Sequence, residues 1–203
     1  MVGVNNDSLI SLYTTATYKR KVPYVTRAVQ GWLGGVYISI GNYYAANIAG
    51  NYLSLGSSGT ALLLYAFLFP VGLLLVVFGQ YADVFTSNCM LVPIALVYDV
   101  KNNASPKDRY RILDVLNVLI SSWIWNFAGC LCIAYFMGYQ GGYLQDPNYK
   151  SGVGLYCNYV ATNQLKLSAT NVLMRSWGAN WLVCHAVFFA IGTKNKIEKA
   201  LVI

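Results

Sequence analysis

The feature that most constrains this chain is an apolar stretch of 39 residues, 60–98, that contains a short polar patch at 83–88. As one helix the stretch would measure about 58 Å, whereas the hydrocarbon core of a bilayer is about 30 Å thick. We therefore expect the helix to be interrupted at the polar patch. Non-helical backbone at membrane depth persists only where it is buried in protein or lines a water-filled cavity, so the patch is a candidate substrate path.

The spacing of the charged residues predicts an all-α membrane protein. No charged residue occurs in 28–82, 115–145 or 176–193, and the composition is 57% hydrophobic and 10% charged. The first gap has room for two spans of about 20 residues and each of the others for one. After an N-terminal segment, 1–23, we expect a membrane domain, 24–203, with spans at 28–48, 60–98 (broken near 83–88), 113–136 and 171–191.

The basic residues predict the orientation of the chain. With the N-terminus in the cytoplasm, eleven of the fourteen Lys and Arg residues fall inside and three fall outside, which is a strong positive-inside bias. This distribution accounts for the net charge of +7, so nucleic-acid binding is not needed to explain it. We expect the basic residues to contact the lipid headgroups of a plasma or inner membrane. The three outside are Lys150, Lys166 and Arg175.

Little in the sequence predicts an enzyme, a cofactor or a metal site. The five cysteines lie mostly in apolar segments, their spacing does not match a metal site, and a structural disulfide is not expected. The chain has one histidine, His185, and Asp83 is the one acid in the interior of a predicted span. We expect His185 to be a helix-face residue. Asp83 is expected to cap the loop or the helix that begins near Thr86, because an exposed negative charge would repel an anion. Asn126 is expected to make an interhelical hydrogen bond.

Four motifs in chain order resemble the formate/nitrite transporter family. The resemblance covers roughly residue 26 to the end. Its most specific parts are the nonapeptide at 82–90 and the run Asn-Trp-Leu-Val-Cys that ends at Cys184. The motifs are Phe-Pro-Val-Gly-Leu at 69–73, Ala-Asp-Val-Phe-Thr-Ser-Asn-Cys-Met at 82–90, Trp-Asn-Phe-Ala-Gly at 125–129 followed by Ala-Tyr-Phe at 134–136, and Met-Arg-Ser-Trp-Gly-Ala-Asn-Trp-Leu-Val-Cys at 174–184.

The resemblance implies an aquaporin-like bundle of six spans, made of two inverted halves, with a pore in each of five identical chains. It implies a channel or transporter for small monovalent anions such as formate, nitrite, lactate or acetate, coupled to a proton. An apolar constriction passes a neutral acid more easily than its anion, which agrees with such coupling. The implied pore residues are Leu73, Val84 and Phe85 at the inner constriction, Phe69 at the outer one, Thr86 near the centre, and Asn180 beside it.

The sequence departs from the family pattern in four respects. The chain ends near the start of the fifth span, so four of six spans are expected and the family's central histidine is not among them. His185 stands where the family usually has an apolar residue. The family's vestibule lysine aligns with Gln164, and we expect the nearby Lys166 to take its place. Tyr81 replaces a glycine and is expected to narrow the pore. The incompleteness leaves a second interpretation open, a non-transporting subunit that acts as a structural partner.

Overall fold

The computed structural model describes residues 6–79, 81–102, 105, 109–145, 150–193, 195–201 and 203. Within these residues all regular elements are helices, as the sequence predicts. They are α1 (Asn6–Lys21), α2 (Tyr24–Ser54), α3 (Ser58–Leu68), α4 (Pro70–Gly79), α5 (Phe85–Lys101), α6 (Ile112–Ile133) with a π-helical extension (Ala134–Gln140), α7 (Gly152–Gln164), α8 (Ala169–Gly192) and α9 (Lys196–Leu201).

The predicted interruption of the 60–98 stretch is present, but it lies earlier than expected. Residues 81–84 are not helical, and α5 begins at Phe85, so four of the six residues of the predicted break, 85–88, form the first turn of a helix. A smaller irregularity separates α3 from α4 at Phe69, where Pro70 lacks the N–H that a continuous helix needs. The combined stretch Ser58–Gly79 and the stretch Ile112–Gln140 are long and apolar enough to cross a membrane.

The two central helices, α2 and α6, pack closely because glycines remove side chains from their contact. A Cβ atom added to Gly35 would lie 2.0 Å from the carbonyl oxygen of Asn126, and one added to Gly129 would lie 2.2 Å from that of Trp32. Small residues such as these allow the backbones of two helices to approach closely. Helix α2 is longer than the predicted span 28–48 by several residues at each end.

The N-terminal segment, which was given no structure, forms α1 and packs onto α5. Its buried face carries Leu12 and Ala16, which contact Leu91, Val92 and Tyr110. The spacing of Leu12 and Ala16 is one helical turn, but the surrounding residues are polar enough to hide the pattern in the sequence. Residues 1–5 of the predicted segment lie outside the described part of the chain.

The segment 137–169 lies between the predicted third and fourth spans, and its Gly-, Tyr- and Asn-rich composition predicts a loop, but its described residues are largely helical. Its first residues extend α6 as a π-helix, and 152–164 form α7, which lies against α2. Val153, Tyr156 and Val160 form the apolar face of α7 at helical spacing and meet a row of alanines on α2 and α3. Ser151 caps α7 by accepting a hydrogen bond from the N–H of Gly154.

Candidate functional site

The interrupted segment is held by one side chain from α6, Asn126. Its Nδ2 donates to the carbonyl oxygens of Asp83 and of Gly31 on α2, each at 2.8 Å. Its Oδ1 accepts from the backbone N–H of Phe85, the first residue of α5, also at 2.8 Å. A helix that begins in the interior of a bundle needs partners for its first N–H groups, and here a neighbouring helix supplies one. The predicted interhelical bond of Asn126 is confirmed, and it joins three segments.

An ion pair ties α1 to the same segment. Lys19 Nζ lies 2.5 Å from Asp83 Oδ1 and donates to Asn88 Oδ1, while the Asn88 amide donates to Asp83 Oδ2 at 2.9 Å. The side chains of Lys19 and Asp83 are 16% and 9% exposed. Of the two roles expected for Asp83, capping of the helix is wrong, because the residue before the helix is Val84 and no side chain caps it. The carboxylate instead fixes the loop to α5 and α1.

A buried guanidinium fixes the end of α1. Arg27, near the start of α2, is 5% exposed, and its Nη2 donates to the carbonyl oxygens of Lys19 and Val22, each at 3.2 Å. The last carbonyl groups of a helix carry partial negative charge and lack partners within the helix, so a cation is stabilised there. This contact fixes the backbone of Lys19 opposite Asp83.

Two cavities lie at different levels of the bundle. The α7 cavity, of about 830 Å³, lies between α2, α3, α7 and α8 and is lined in part by Asn42 and Tyr65. The α1 cavity, of about 370 Å³, lies between α1, α2, α4, α5 and α8 and is lined in part by Lys19, Gln30 and Asp83. Gln30 and Asn42 both belong to α2, so the two cavities are about 18 Å apart along that helix.

The part of α3 and α4 that lies between the two cavities consists of apolar residues. Tyr65 lines the α7 cavity and Val76 lines the α1 cavity, so Phe69 and Leu73 lie between them along the chain. Leu73 is 7% exposed, and the ring of Phe69 stacks on Tyr65 with 5.6 Å between ring centroids. Along the chain, both predicted constriction residues therefore lie between residues that line the two cavities.

The predicted residues at the start of α5 lie at the edge of the α1 cavity. Val84 is 3% exposed and faces α2 at Gly34, where an added Cβ would lie 3.1 Å from Val84 Cγ1. Phe85 and Thr86 form the first turn of α5 and are partly buried. Their neighbour Ser87 lines the α1 cavity.

Helix α8 also lines both cavities, with a predicted site residue between the two lining positions. Arg175 lines the α7 cavity, Val187 lines the α1 cavity, and Asn180 lies between them. Asn180 Nδ2 donates to Cys184 Sγ at 3.7 Å, and Cys184 Sγ donates to the carbonyl oxygen of Thr86 at 3.4 Å. The Oδ1 atom of Asn180 is buried and has no hydrogen-bond partner among the described residues. A free acceptor therefore lies midway between the cavities.

Both candidates for the vestibule position, Lys166 and Gln164, line the α7 cavity together with Arg175. Gln164 is the last residue of α7, and Lys166 lies in the turn before α8. Neither Lys166 nor Arg175 has an acidic partner in the described part of the chain, and the lining of this cavity contains no carboxylate. The mouth of the α7 cavity is therefore positively charged.

His185 and Tyr81 lie away from the level between the cavities. His185 is an exposed residue of α8, with Nδ1 3.0 Å from the carbonyl oxygen of Trp181 and Nε2 3.3 Å from the indole Nε1. These contacts fit a neutral imidazole that donates through Nδ1 and accepts through Nε2. The helix-face position predicted for His185 is confirmed. Tyr81 is 73% exposed, so in this structure it does not narrow the space between the cavities.

Sequence reasoning missed the partners of the interrupted segment. From the sequence, Lys19 is only one of the basic residues that predict the orientation of the chain, and Asn88 is only part of the polar patch and of the motif at 82–90. Their contact with Asp83 joins positions 64 and 5 residues apart in sequence, and only the shorter separation is visible as a local pattern. The described residues contain no group of three metal-ligating side chains, and their cysteines are unpaired.

An all-helical bundle around an interrupted helix, with one cavity beside the interruption and a second about 18 Å away along α2, is typical of a membrane channel or transporter. The chain belongs to the formate/nitrite transporter family, because the family model described as "Formate/nitrite transporter" matches residues 7–203. The resemblance predicted from the motifs is confirmed. The family consists of integral membrane transporters and channels for small anions, not of enzymes.

Individual relatives agree with this assignment. A probable formate transporter of Methanothermobacter thermautotrophicus is 29% identical over 204 residues, which cover 95% of this chain and 71% of the relative. A formate channel of Bacillus thuringiensis is 31% identical over 177 residues, which cover 85% of this chain and 61% of the relative. An FNT family ion channel of known structure matches the fold with a TM-score of 0.77 at 19% identity, over 97% of this chain and 72% of that one.

The chain spans only part of several relatives. It covers 33% of the length of formate-nitrite transporter 3 of Toxoplasma gondii, with 30% identity over 179 residues. It covers 63% of an uncharacterized transporter of Bacillus subtilis, with 31% identity over 183 residues.

Proposed function

We propose that this chain provides, within a homopentamer, a transmembrane path for small monovalent anions such as formate, nitrite, lactate or acetate, and that the anion crosses together with a proton. The path runs from the α7 cavity to the α1 cavity past the interruption before α5. Two of the relatives are a probable formate transporter and a formate channel, which supports the choice of substrate class.

One observation carries the proposal. Three parts of the bundle line both cavities: α2, α3 together with α4, and α8. Between the cavities, α3 and α4 contribute the predicted residues Phe69 and Leu73, and α8 contributes Asn180. Helix α2 contributes glycines that contact neighbouring segments. An apolar partition bounded by a cavity on each side is an arrangement that a selective pore can use.

The apolar partition accounts for proton coupling. Moving an isolated carboxylate from water into an apolar constriction costs far more than moving the neutral acid. Leu73, Phe69 and Val84 offer the passing molecule no charge and no side-chain hydrogen bond. A carboxylate that takes up a proton before this level crosses at a lower barrier and releases the proton in the next cavity.

The polar groups near the partition suit a neutral acid. The free Oδ1 of Asn180 accepts a hydrogen bond, so it matches the O–H of a protonated acid and repels a carboxylate oxygen. The hydroxyl of Thr86 donates to the carbonyl oxygen of the same molecule. The nearby charge of Asp83 does not oppose this passage, because Lys19 neutralises it at 2.5 Å.

The α7 cavity is the entrance that attracts anions. Lys166 and Arg175 raise the local concentration of anions there, and the effect weakens as salt screens their charge. The positive-inside bias puts this cavity on the outer side and α1 in the cytoplasm.

Flux into proteoliposomes tests the proposal. We expect labelled formate to enter at a rate above that of protein-free vesicles, and a pH-sensitive dye in the lumen to report acidification in step with formate entry. Replacing Thr86 by Val removes the hydroxyl at nearly constant volume and slows the flux, whereas Thr86→Ser keeps the flux. Thr170→Val, an exposed position on α8, is the matched control and leaves the flux unchanged.

Two results would contradict the proposal. Formate entry without lumenal acidification would remove proton coupling and keep the path. No entry above the protein-free rate, from a preparation shown to be folded and inserted, would support the interpretation of the chain as a non-transporting subunit.

A further inference from the structure

The α7 cavity is much larger than the anions that the proposed path carries. Its volume is about 830 Å³, which lies in the range of about 300–1,000 Å³ that is typical of pockets for drug-sized ligands. One water molecule occupies about 30 Å³ of liquid, and formate has only three heavy atoms. A passing anion therefore leaves most of this cavity hydrated and most of its wall without a contact.

The wall of the cavity is aromatic. The rings of Tyr65 and Tyr156 stack with 4.6 Å between centroids and 15° between planes, and Tyr159 follows at 6.5 Å from Tyr156. All three line the cavity, and Tyr159 is the least constrained, because it lies at the end of the stack and is only partly buried. Aromatic faces prefer a further ring in an offset or edge-to-face arrangement, which no small anion supplies.

The same cavity contains two cations without partners. Lys166 and Arg175 line it, and neither is paired with an acid in the described part of the chain. A guanidinium group binds a carboxylate through two parallel hydrogen bonds, and an ammonium group adds a point charge. The cavity therefore combines a place for a carboxylate with a place for a ring.

We propose that the α7 cavity is a binding site for aromatic carboxylates, which are too large to cross the partition and which occlude the entrance. Arg175 and Lys166 hold the carboxylate, and the ring lies against Tyr159 and Tyr65. The consequence for transport rests on the proposed function, whereas the binding itself does not.

Cys157 makes the site testable without any transport. Its thiol is free, exposed and part of the cavity wall. The reagent sulfonatoethyl methanethiosulfonate reacts with the thiolate, which forms a mixed disulfide and releases methanesulfinate. Peptide mass spectrometry of the labelled protein gives the rate at this one residue, and Cys157→Ser identifies the signal that belongs to it.

We expect benzoate to slow the labelling of Cys157 several-fold and in a saturable manner. Benzamide, which has the ring without the charge, gives no protection, and cyclohexanecarboxylate, which has the charge without the aromatic face, gives less than benzoate. Arg175→Gln weakens the protection by about fivefold, the effect of losing one partly exposed ion pair. Tyr159→Leu weakens it by about fivefold as well, and Tyr159→Phe restores it.

The transport arm uses the same compounds on the outer side of proteoliposomes. Benzoate is expected to inhibit formate entry at the concentrations that protect Cys157, with each variant normalised to its own uninhibited flux. Protection without any formate flux would keep the site and contradict the proposed function. Formate flux without protection, or equal protection by benzoate, benzamide and acetate, would overturn the aromatic carboxylate site.

Discussion

Removing one partner of the Lys19–Asp83 pair is expected to destabilise the protein strongly, because it leaves a largely buried charge without its partner. The pair is 2.5 Å apart, with side chains 16% and 9% exposed, and Asn88 contacts both partners. Lys19→Met leaves the Asp83 carboxylate buried without a cation, and Asp83→Asn leaves the ammonium group buried without an anion. Losing one member of a buried pair costs about 3–5 kcal/mol, and the residual exposure of Lys19 favours the lower end.

The double variant separates the pairing from the packing. If the charges stabilise each other, the double variant Lys19→Met with Asp83→Asn loses less stability than either single variant, because neither charge is then left alone. SDS-induced unfolding in mixed micelles, followed by circular dichroism, compares the four proteins. Arg111→Gln is the matched control, because its pair with Asp114 is at the surface, with the Arg111 side chain 71% exposed, and its loss leaves the unfolding curve unchanged.

Additive losses would refute this reasoning. They would show that Lys19 and Asp83 stabilise the fold through separate contacts, and that α1 is not coupled to the interrupted segment through charge. The reasoning would also be refuted if Arg111→Gln shifted the unfolding curve as much as Lys19→Met does, because the buried pair would then contribute no more to stability than the exposed pair.

Two further changes test how the segment before α5 is held and how closely the central helices pack. Asn126→Leu leaves the N–H of Phe85 and two carbonyl oxygens without their partner, and is expected to lower the free energy of unfolding by about 3 kcal/mol or more in the same assay. A loss below about 1 kcal/mol would contradict the role of Asn126 in holding the segment before α5. Gly35→Ala is expected to destabilise the protein, because the new methyl group would lie 2.0 Å from a backbone oxygen. Gly178→Ala, where the methyl group would have nothing within 4 Å, is expected to stabilise α8 by about 1 kcal/mol. A Gly35→Ala protein more stable than Gly178→Ala would contradict the close packing of α2 and α6.

The interruption was predictable from length, but its place was not. A stretch of 39 apolar residues cannot cross a bilayer as one straight helix, so a break was required near its polar residues. Polarity alone assigned 83–88 to the break. The helix begins at Phe85 because Asn126, on a different helix, accepts its N–H, and a contact between residues 41 positions apart cannot be read from one sequence.

The additional helices were missed for two different reasons. The polar composition of α1 hides its apolar face, and that face becomes evident only through its contact with Leu91 and Val92. Helix α7 carries apolar residues at helical spacing from Val153 to Val160, but its many glycine, tyrosine and asparagine neighbours favoured a loop. In both cases burial against another element decided the structure over local composition.

The site was predictable in its residue types and less so in its electrostatics. Phe69, Leu73 and Asn180 came from the family motifs, and along their helices they lie between residues that line the two cavities. The neutralisation of Asp83 by Lys19 depends on a contact 64 residues apart, so from the sequence an acid at this position is unexpected and no cation to balance it can be identified.

Formate flux through Leu73→Ala tests the central claim most directly, because a gain of flux cannot result from misfolding. Leu73 is 7% exposed and lies between the cavities, so removing three carbon atoms there widens and hydrates the partition even though it costs about 2–5 kcal/mol of stability. Leu75→Ala is the matched control on the same helix, with a side chain 38% exposed. The account predicts faster formate entry per folded protein, and weaker discrimination against larger acids such as lactate, for Leu73→Ala alone. Flux that is unchanged in Leu73→Ala, or that changes equally in Leu75→Ala, would contradict a path that crosses the bundle at this level.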